Sequence, residues 1–174
     1  TKTDTFLRYK LDVLNSLEDM VYQSWIIWSY DWGGRTKKNF ARKHEDLLMY
    51  SKGKEFMFNR DDVRIPYIMK KSVRKGVDLN PLGKNNHTTS KEYAGWHPTQ
   101  KPIELLERII KAHTNPGDVV LDIFNGSGST TIACANTDRE FLGCELDKEY
   151  FEKSLKRIED LVGVKKFTSN KLID

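Results

Sequence analysis

Apolar residues recur at helical spacing over residues 5–20, TFLRYKLDVLNSLEDM, where Phe6, Leu7, Leu11, Leu14 and Leu17 share one face; the spacing predicts a helix. WIIWSY (25–30) is short, β-branched and aromatic, and predicts a strand that Asp31-Trp32-Gly33-Gly34 breaks. DLLMYSK (46–52) and EFMFN (55–59) predict two further strands with Gly53 between them. From 60 to 96 no period holds. Pro66, Gly76, Pro81, Gly83 and Asn85-Asn86 punctuate a polar, basic stretch, and a loop of that length in a folded domain is expected to bind something.

The pattern changes at Pro98. Ile103, Leu106 and Ile110, with Leu105 and Ile109, predict a helix over roughly residues 101–113, stopped by Thr114-Asn115-Pro116-Gly117. GDVVLDIF is a nearly continuous apolar run and predicts a strand buried on both faces. Asn125-Gly126-Ser127-Gly128 then turns into a short helix, TTIACAN, and FLGCEL (141–146) predicts a second buried strand. A last helix is expected over about 148–162, with Phe151, Leu155, Ile158 and Val162 inward. Helix, strand, helix, strand, helix is the order of a parallel α/β unit. There are no internal repeats or low-complexity tracts.

Composition narrows the class. With 174 residues, 38% of them hydrophobic, the chain can bury a real core. A mean hydropathy of -0.63 and no apolar run near 18 residues argue against a membrane span. The opening TKTDTFLRYK has no apolar signal stretch, so a cytoplasmic protein is expected. Cys134 and Cys144 form no CxxC pair, and both are expected to be reduced core residues. The net charge of +4 hides an asymmetry: residues 31–90 carry 14 Lys+Arg against 7 Asp+Glu, while the remainder carries 15 against 18. A basic middle suggests a polyanionic partner, although a solvated Lys-rich surface explains the charge equally well.

The chemistry concentrates in Asp122-Ile123-Phe124-Asn125-Gly126-Ser127-Gly128-Ser129-Thr130. A strand ends in an acid, a glycine-rich turn follows, and a helix N-terminus offers its unpaired N–H groups. Glu145 falls 23 residues after Asp122, at the end of the next strand, where nucleotide-binding folds place an acid on ribose hydroxyls. The two strand ends thus predict a cleft for an adenosine-containing ligand. The dinucleotide fingerprint wants a third glycine where this chain has Thr131, which disfavours NAD.

HPTQKP (97–102), an amphipathic helix, GDVVLD and FNGSG, in that order, closely resemble the amino-DNA methyltransferases that use S-adenosylmethionine. The resemblance covers residues 96–160 strongly and extends more loosely to WIIWSYDWGG and ARKHEDLLMYSK. It implies a Rossmann-like α/β methyltransferase sheet with helices on both faces and a basic irregular recognition region. It also implies a cofactor set of His97, Thr99, Gln100, Lys101, Asp122, Phe124, Asn125, Gly126, Ser127, Gly128, Ser129, Thr130 and Glu145. In that family Phe124, Gly126 and Gly128 would wrap the methionine end and Glu145 would hold the ribose. The basic region precedes the cofactor motif, as in the family's β group; Ile123, where the family usually has proline, is a mild departure.

The family's catalytic tetrapeptide, Asp/Asn/Ser-Pro-Pro-Tyr/Phe, does not occur in the sequence. Its nearest lookalike, Arg64-Ile65-Pro66-Tyr67, has one proline and no leading acid or amide, so the catalytic residue is left unassigned. TKTDTFLRY looks like the segment that follows the tetrapeptide, and the chain is expected to begin just downstream of it. Three regions are expected: 1–30, helix and strand of the catalytic domain; 31–96, a strand pair with the target-recognition region; and 97–174, the cofactor-binding α/β half.

His44 and Glu45 are most simply a polar turn leading into DLLMYSK, and no HxxxH or CxxC spacing supports a metal. Trp28, Tyr30 and Trp32 share one face of a strand opposite Ile27, which core packing explains and base stacking offers as a minority reading. With the resemblance in hand, Arg35, Lys37, Lys38, Arg42, Lys43 and His44 are expected to meet DNA. The expected reaction moves a methyl group from S-adenosylmethionine to adenine N6 in double-stranded DNA, in a restriction–modification system; a homodimer or a restriction subunit is the expected protein partner. Cytosine N4 is the alternative acceptor, and an inactive remnant or a methyltransferase of another substrate are the alternative classes.

Overall fold

The computed structural model describes residues 16, 19–30, 37–38, 43–64 and 92–163. The chain divides after Phe56 into two units.

The first unit is an antiparallel pair, β1 (Val21–Ser29) and β2 (His44–Ser51), in register from Val21 opposite Ser51 to Ser29 opposite His44. A bulge between Tyr22 and Ser24 releases Gln23, whose amide donates to Ser51 Oγ at 2.7 Å. Cross-strand interactions hold the pair: Tyr22 meets Tyr50 edge-on, and Trp25 Nε1 donates to Asp46 at 3.1 Å. Trp28 is buried and packs on Tyr30, as the shared face predicts, whereas Trp25 and Ile27 are exposed; Trp32 is outside the described residues. The expected strand 25–30 thus starts earlier, at Val21. His44 and Glu45 belong to β2 itself rather than to a turn, because both pair with β1 opposite Ser29 and Trp28. Most of the helix expected over 5–20 falls outside the described residues; Asp19 and Met20 lie in a turn and a bend that lead directly into β1.

The second unit contains α1 (Ile103–His113), β3 (Val119–Asp122), α2 (Ser129–Asn136), β4 (Glu140–Gly143) and α3 (Lys148–Val162). β3 and β4 are parallel, with Val119 opposite Glu140 and Asp122 opposite Gly143, and α2 is their crossover. α2 is buried almost all round through Ile132, Ala133, Cys134 and Ala135. Its small side chains let neighbours close in, and Ile103 and Ile110 of α1 and Ile158 of α3 join Ile132 in one cluster with Val120 and Phe141 of the sheet. Burial pushes the Cys134 thiol up to about 11, which leaves it a small core hydrophobe. No helix among the described residues is long and apolar enough to cross a membrane.

Local chemistry sets the element ends. Pro102 stands before the first turn of α1, so the helix starts at Ile103 rather than 101. Thr114 closes it with hydroxyl and amide on Ile110 O, and Gly117 takes φ +90°. Asp147 caps α3 by accepting from Tyr150 N at 2.9 Å.

Four further expectations are corrected. EFMFN (55–59) is not a strand: Asn59 at its end caps α1 instead, its N donating to Ala112 O at 2.7 Å and its Nδ2 to Thr114 O at 2.8 Å. β3 and β4 are not buried on both faces, since Val119, Leu121 and Leu142 are exposed and only the side toward α2 is packed. Leu155 of α3 is exposed, its place toward α2 being taken by Ser154 and Arg157. Cys144 is exposed because it continues the alternation of β4 on the open face that carries Leu142; Cys134 alone is a core cysteine.

Gly128 caps α2 at φ +77°, and a Cβ there would lie 2.9 Å from Ile158 Cδ1. Gly128→Ala therefore combines a left-handed strain with overpacking, and urea denaturation followed by circular dichroism should show a loss of about 1–3 kcal/mol.

Candidate functional site

Between the end of β3 and the start of α2 the chain reverses in a few residues, and acids hold that turn. Asp122 accepts from Phe124 N at 3.0 Å and from Thr130 Oγ1 at 2.6 Å, so it fastens both sides of the turn. Asn125 N donates to Cys144 O, extending the β3–β4 pairing past the strands, and the Asn125 side chain lies over Gly143 to accept from Thr131 Oγ1. Gly126, at φ +51°, donates its N–H to Glu145 Oε2 at 2.8 Å, while Glu145 Oε1 accepts from Asp147 N at 3.0 Å. Each Glu145 oxygen has spare acceptor capacity after those bonds.

The segment 92–101 folds over this turn. His97 sits so close that a Cβ on Gly126 would lie 2.8 Å from its Nε2, which is why that position needs glycine. The imidazole packs edge-on against Tyr150 and Trp96. Its Nδ1 is buried with no hydrogen-bond partner, and its pKa lies below the ordinary 6.5. Burial is the main cause; the Glu145 carboxylate pulls the other way, and the Lys101 and Arg157 cations reinforce burial. Neutral imidazole is the form the fold selects.

Between segment and turn lies a cleft of about 220 Å³ lined by His97, Thr99, Lys101, Asp122, Phe124, Asn125, Gly126, Ser127, Ser129 and Thr130, with Leu106. Ten of the thirteen residues expected to bind cofactor thus share one wall system. Phe124 is 82% exposed at the mouth. The structure does not bring the other three into the lining. Gln100 turns away to bond Glu92 O and Ala94 N, Gly128 packs on Ile158, and Glu145 reaches the turn through Gly126 N. Among the described residues no group of three or more His, Cys, Asp and Glu could hold a metal.

Of the expected DNA-binding residues, Lys37, Lys38, Lys43 and His44 are exposed, and His44 Nε2 lies 3.9 Å from Asp46 Oδ1. Arg35 and Arg42, like residues 65–91, are outside the described residues; so is most of the Arg64-Ile65-Pro66-Tyr67 lookalike. Sequence reasoning missed Arg157, a buried guanidinium behind the turn whose Nη1 donates to Ser127 O at 2.7 Å. On the helical wheel it reads as a charged neighbour of Ile158, and nothing in the periodicity marks it as buried.

The profile of a DNA methylase family matches residues 2–156. A Type II methyltransferase of Haemophilus parainfluenzae, M.HpaI, is 35% identical over 159 residues, 88% of this chain and 50% of its own length. The DNA adenine methyltransferase YhdJ of Escherichia coli (strain K12) is 35% identical over 176 residues, covering 84% of this chain and 59% of its own. The chain thus spans about half the length of these curated relatives. The crystal structure of the M1.HpyAVI–SAM complex superposes with a TM-score of 0.63 at 33% identity, over 88% of this chain and 70% of that one.

The lowered pKa of His97 carries a sign that stability can report. Between the folded value and 6.5 the unfolded chain binds more protons, so the His97 contribution is full above 6.5 and is lost as pH falls through that window. The Tm advantage of wild type over His97→Asn should therefore shrink from about pH 7.5 to about pH 5. A constant difference would mean that the fold does not favour neutral imidazole.

Proposed function

The chain belongs to the N6/N4 DNA methylase family, and from that premise we propose that its α/β unit holds S-adenosylmethionine for methylation of adenine N6 in double-stranded DNA. One observation carries the cofactor reading: a cleft walled by His97 and floored by a side-chain-free Gly126, with a carboxylate, Glu145, at the adjacent strand end. The resident residues fit such a ligand. Glu145 keeps acceptor sites for two vicinal hydroxyls beyond its bonds to Gly126 and Asp147. The exposed ring of Phe124 at the mouth suits a ligand that is part aromatic.

When bound, S-adenosylmethionine supplies an electrophilic methyl group. The role of the chain's own residues is to orient the ligand. Asp122 is spent on the turn, through Phe124 N and Thr130 Oγ1, so its contribution is to hold the cradle's shape. None of the described residues is assigned to the target amine. The acceptor lies inside a stacked duplex, so the base has to leave the stack before it can react. Adenine is favoured by the relative YhdJ, whose name states that specificity. The Type II relatives support a role in restriction–modification. Lys37, Lys38, Lys43 and His44 are the described candidates for DNA binding, with Arg35 and Arg42 beside them in the sequence.

Two outcomes test this. Calorimetric titration with S-adenosylhomocysteine should bind the wild-type chain, with Glu145→Ala weakening affinity at least about tenfold, roughly the contribution of one charge-assisted hydrogen bond. Unchanged affinity removes Glu145 from the site. Neutralising Lys37 and Lys38 together should make the dependence of duplex binding on log salt shallower, by roughly one unit for each phosphate no longer neutralised, measured by fluorescence anisotropy. An unaltered slope returns both lysines to ordinary surface.

A further inference from the structure

Arg157 is 8% exposed, yet it lies on a helix whose other charged residues are exposed, apart from the half-buried Lys153 over the Trp96 ring. Its guanidinium joins two segments that are distant in sequence. Nη1 donates to Ser127 O at 2.7 Å and reaches Ser129 Oγ at 3.3 Å, both on the turn that floors the cleft. Nη2 donates to Glu92 O at 2.9 Å, 65 residues away. The same carbonyl accepts from Gln100 Nε2 at 2.8 Å, and Gln100 Oε1 accepts from Ala94 N at 2.9 Å. Gln100 therefore closes residues 92–100 into one loop, and Arg157 pins that loop to the turn. His97 is part of the loop and Gly126 part of the turn, so the distance across the cleft depends on this bridge.

Packing alone does not explain an arginine here. A buried guanidinium is costly to desolvate, and an apolar side chain of similar length would fill the volume without that cost. What it adds is geometry: a planar fork donates in two directions at once, which a lysine ammonium on a single point does not reproduce.

We infer that Arg157 is a positioning residue that couples the cofactor turn to the loop 92–100, so that filling the cleft is felt at Ala94, which does not line it. The inference rests on the cofactor reading above. S-adenosylhomocysteine, with the full chain and backbone hydrogen exchange as readout, tests it. In wild type, ligand should slow exchange both at Gly126–Ser129 and at Ala94. Arg157→Met should bind at least tenfold more weakly, and Ala94 should exchange alike with and without ligand; Arg157→Lys should fall between.

Compared at ligand concentrations that saturate each variant, a destabilised helix would alter exchange in both states but would not by itself erase the ligand-dependent difference at Ala94. Protection of the wild-type turn with none at Ala94 overturns the coupling, and this arm needs no variant to fold. An Arg157→Met chain that keeps wild-type affinity and Ala94 protection also overturns it. Absence of any binding to wild type overturns the cofactor reading and the coupling together, whereas binding without coupling overturns the coupling alone.

Discussion

Between Asn125 and Gly128 the chain passes from a parallel strand to a helix with no room to spare on either side. Gly126 faces His97 and Gly128 faces Ile158, each at a distance a methyl group would violate, and both have positive φ. One approach is made by the loop 92–101, the other by α3. The rest of the larger unit is arranged around this reversal. α2 begins where it ends, the cleft opens on one side of it, and the buried cluster of Ile103, Ile110, Ile132 and Ile158 closes the other. A turn so tightly enclosed is preorganised, which is the property that lowers the ordering cost of binding a ligand there.

The polar groups around that turn divide into two kinds. Asp122, Asn125 and Gln100 satisfy backbone and hydroxyl partners within the scaffold, so they fix shape. His97 Nδ1 has no such partner although it is buried, and Glu145 keeps acceptor capacity at the rim. Buried polar groups without partners are uncommon in native proteins because each forfeits its hydration. The unpartnered His97 Nδ1 therefore carries a desolvation cost that the enclosing Tyr150 and Trp96 rings do not offset with a hydrogen bond. The depressed basicity of His97 agrees, since a neutral ring is the state compatible with a nitrogen sealed from water.

The exposed apolar face of the β3–β4 pair follows from the same layering. α2 covers one side of the sheet, and Val119, Leu121 and Leu142 look out from the other. Family membership and the superposition on M1.HpyAVI identify the β3–α2–β4 crossover as part of a methyltransferase sheet. The chain spans about half of its curated relatives.

The residues alone determined the order of elements in the second unit, because apolar periods of two and of three to four are local and leave a direct trace. From the residues came the expectation of a ligand-binding turn, with an acid at each strand end and two glycines between them, and the family resemblance added the histidine-bearing segment upstream. Tertiary structure decided what periodicity does not encode. Met57 and Phe58 look like strand residues, but the open carbonyls at the end of α1 draw Asn59 into a cap. Apolar runs in β3 and β4 state a preference for burial, while the neighbouring layer decides which face is covered. Arg157, Gln100 and Glu92 meet over a sequence separation of 65 residues. A hydrogen bond across that distance has no period to betray it, because it depends on where three separate backbones come to rest.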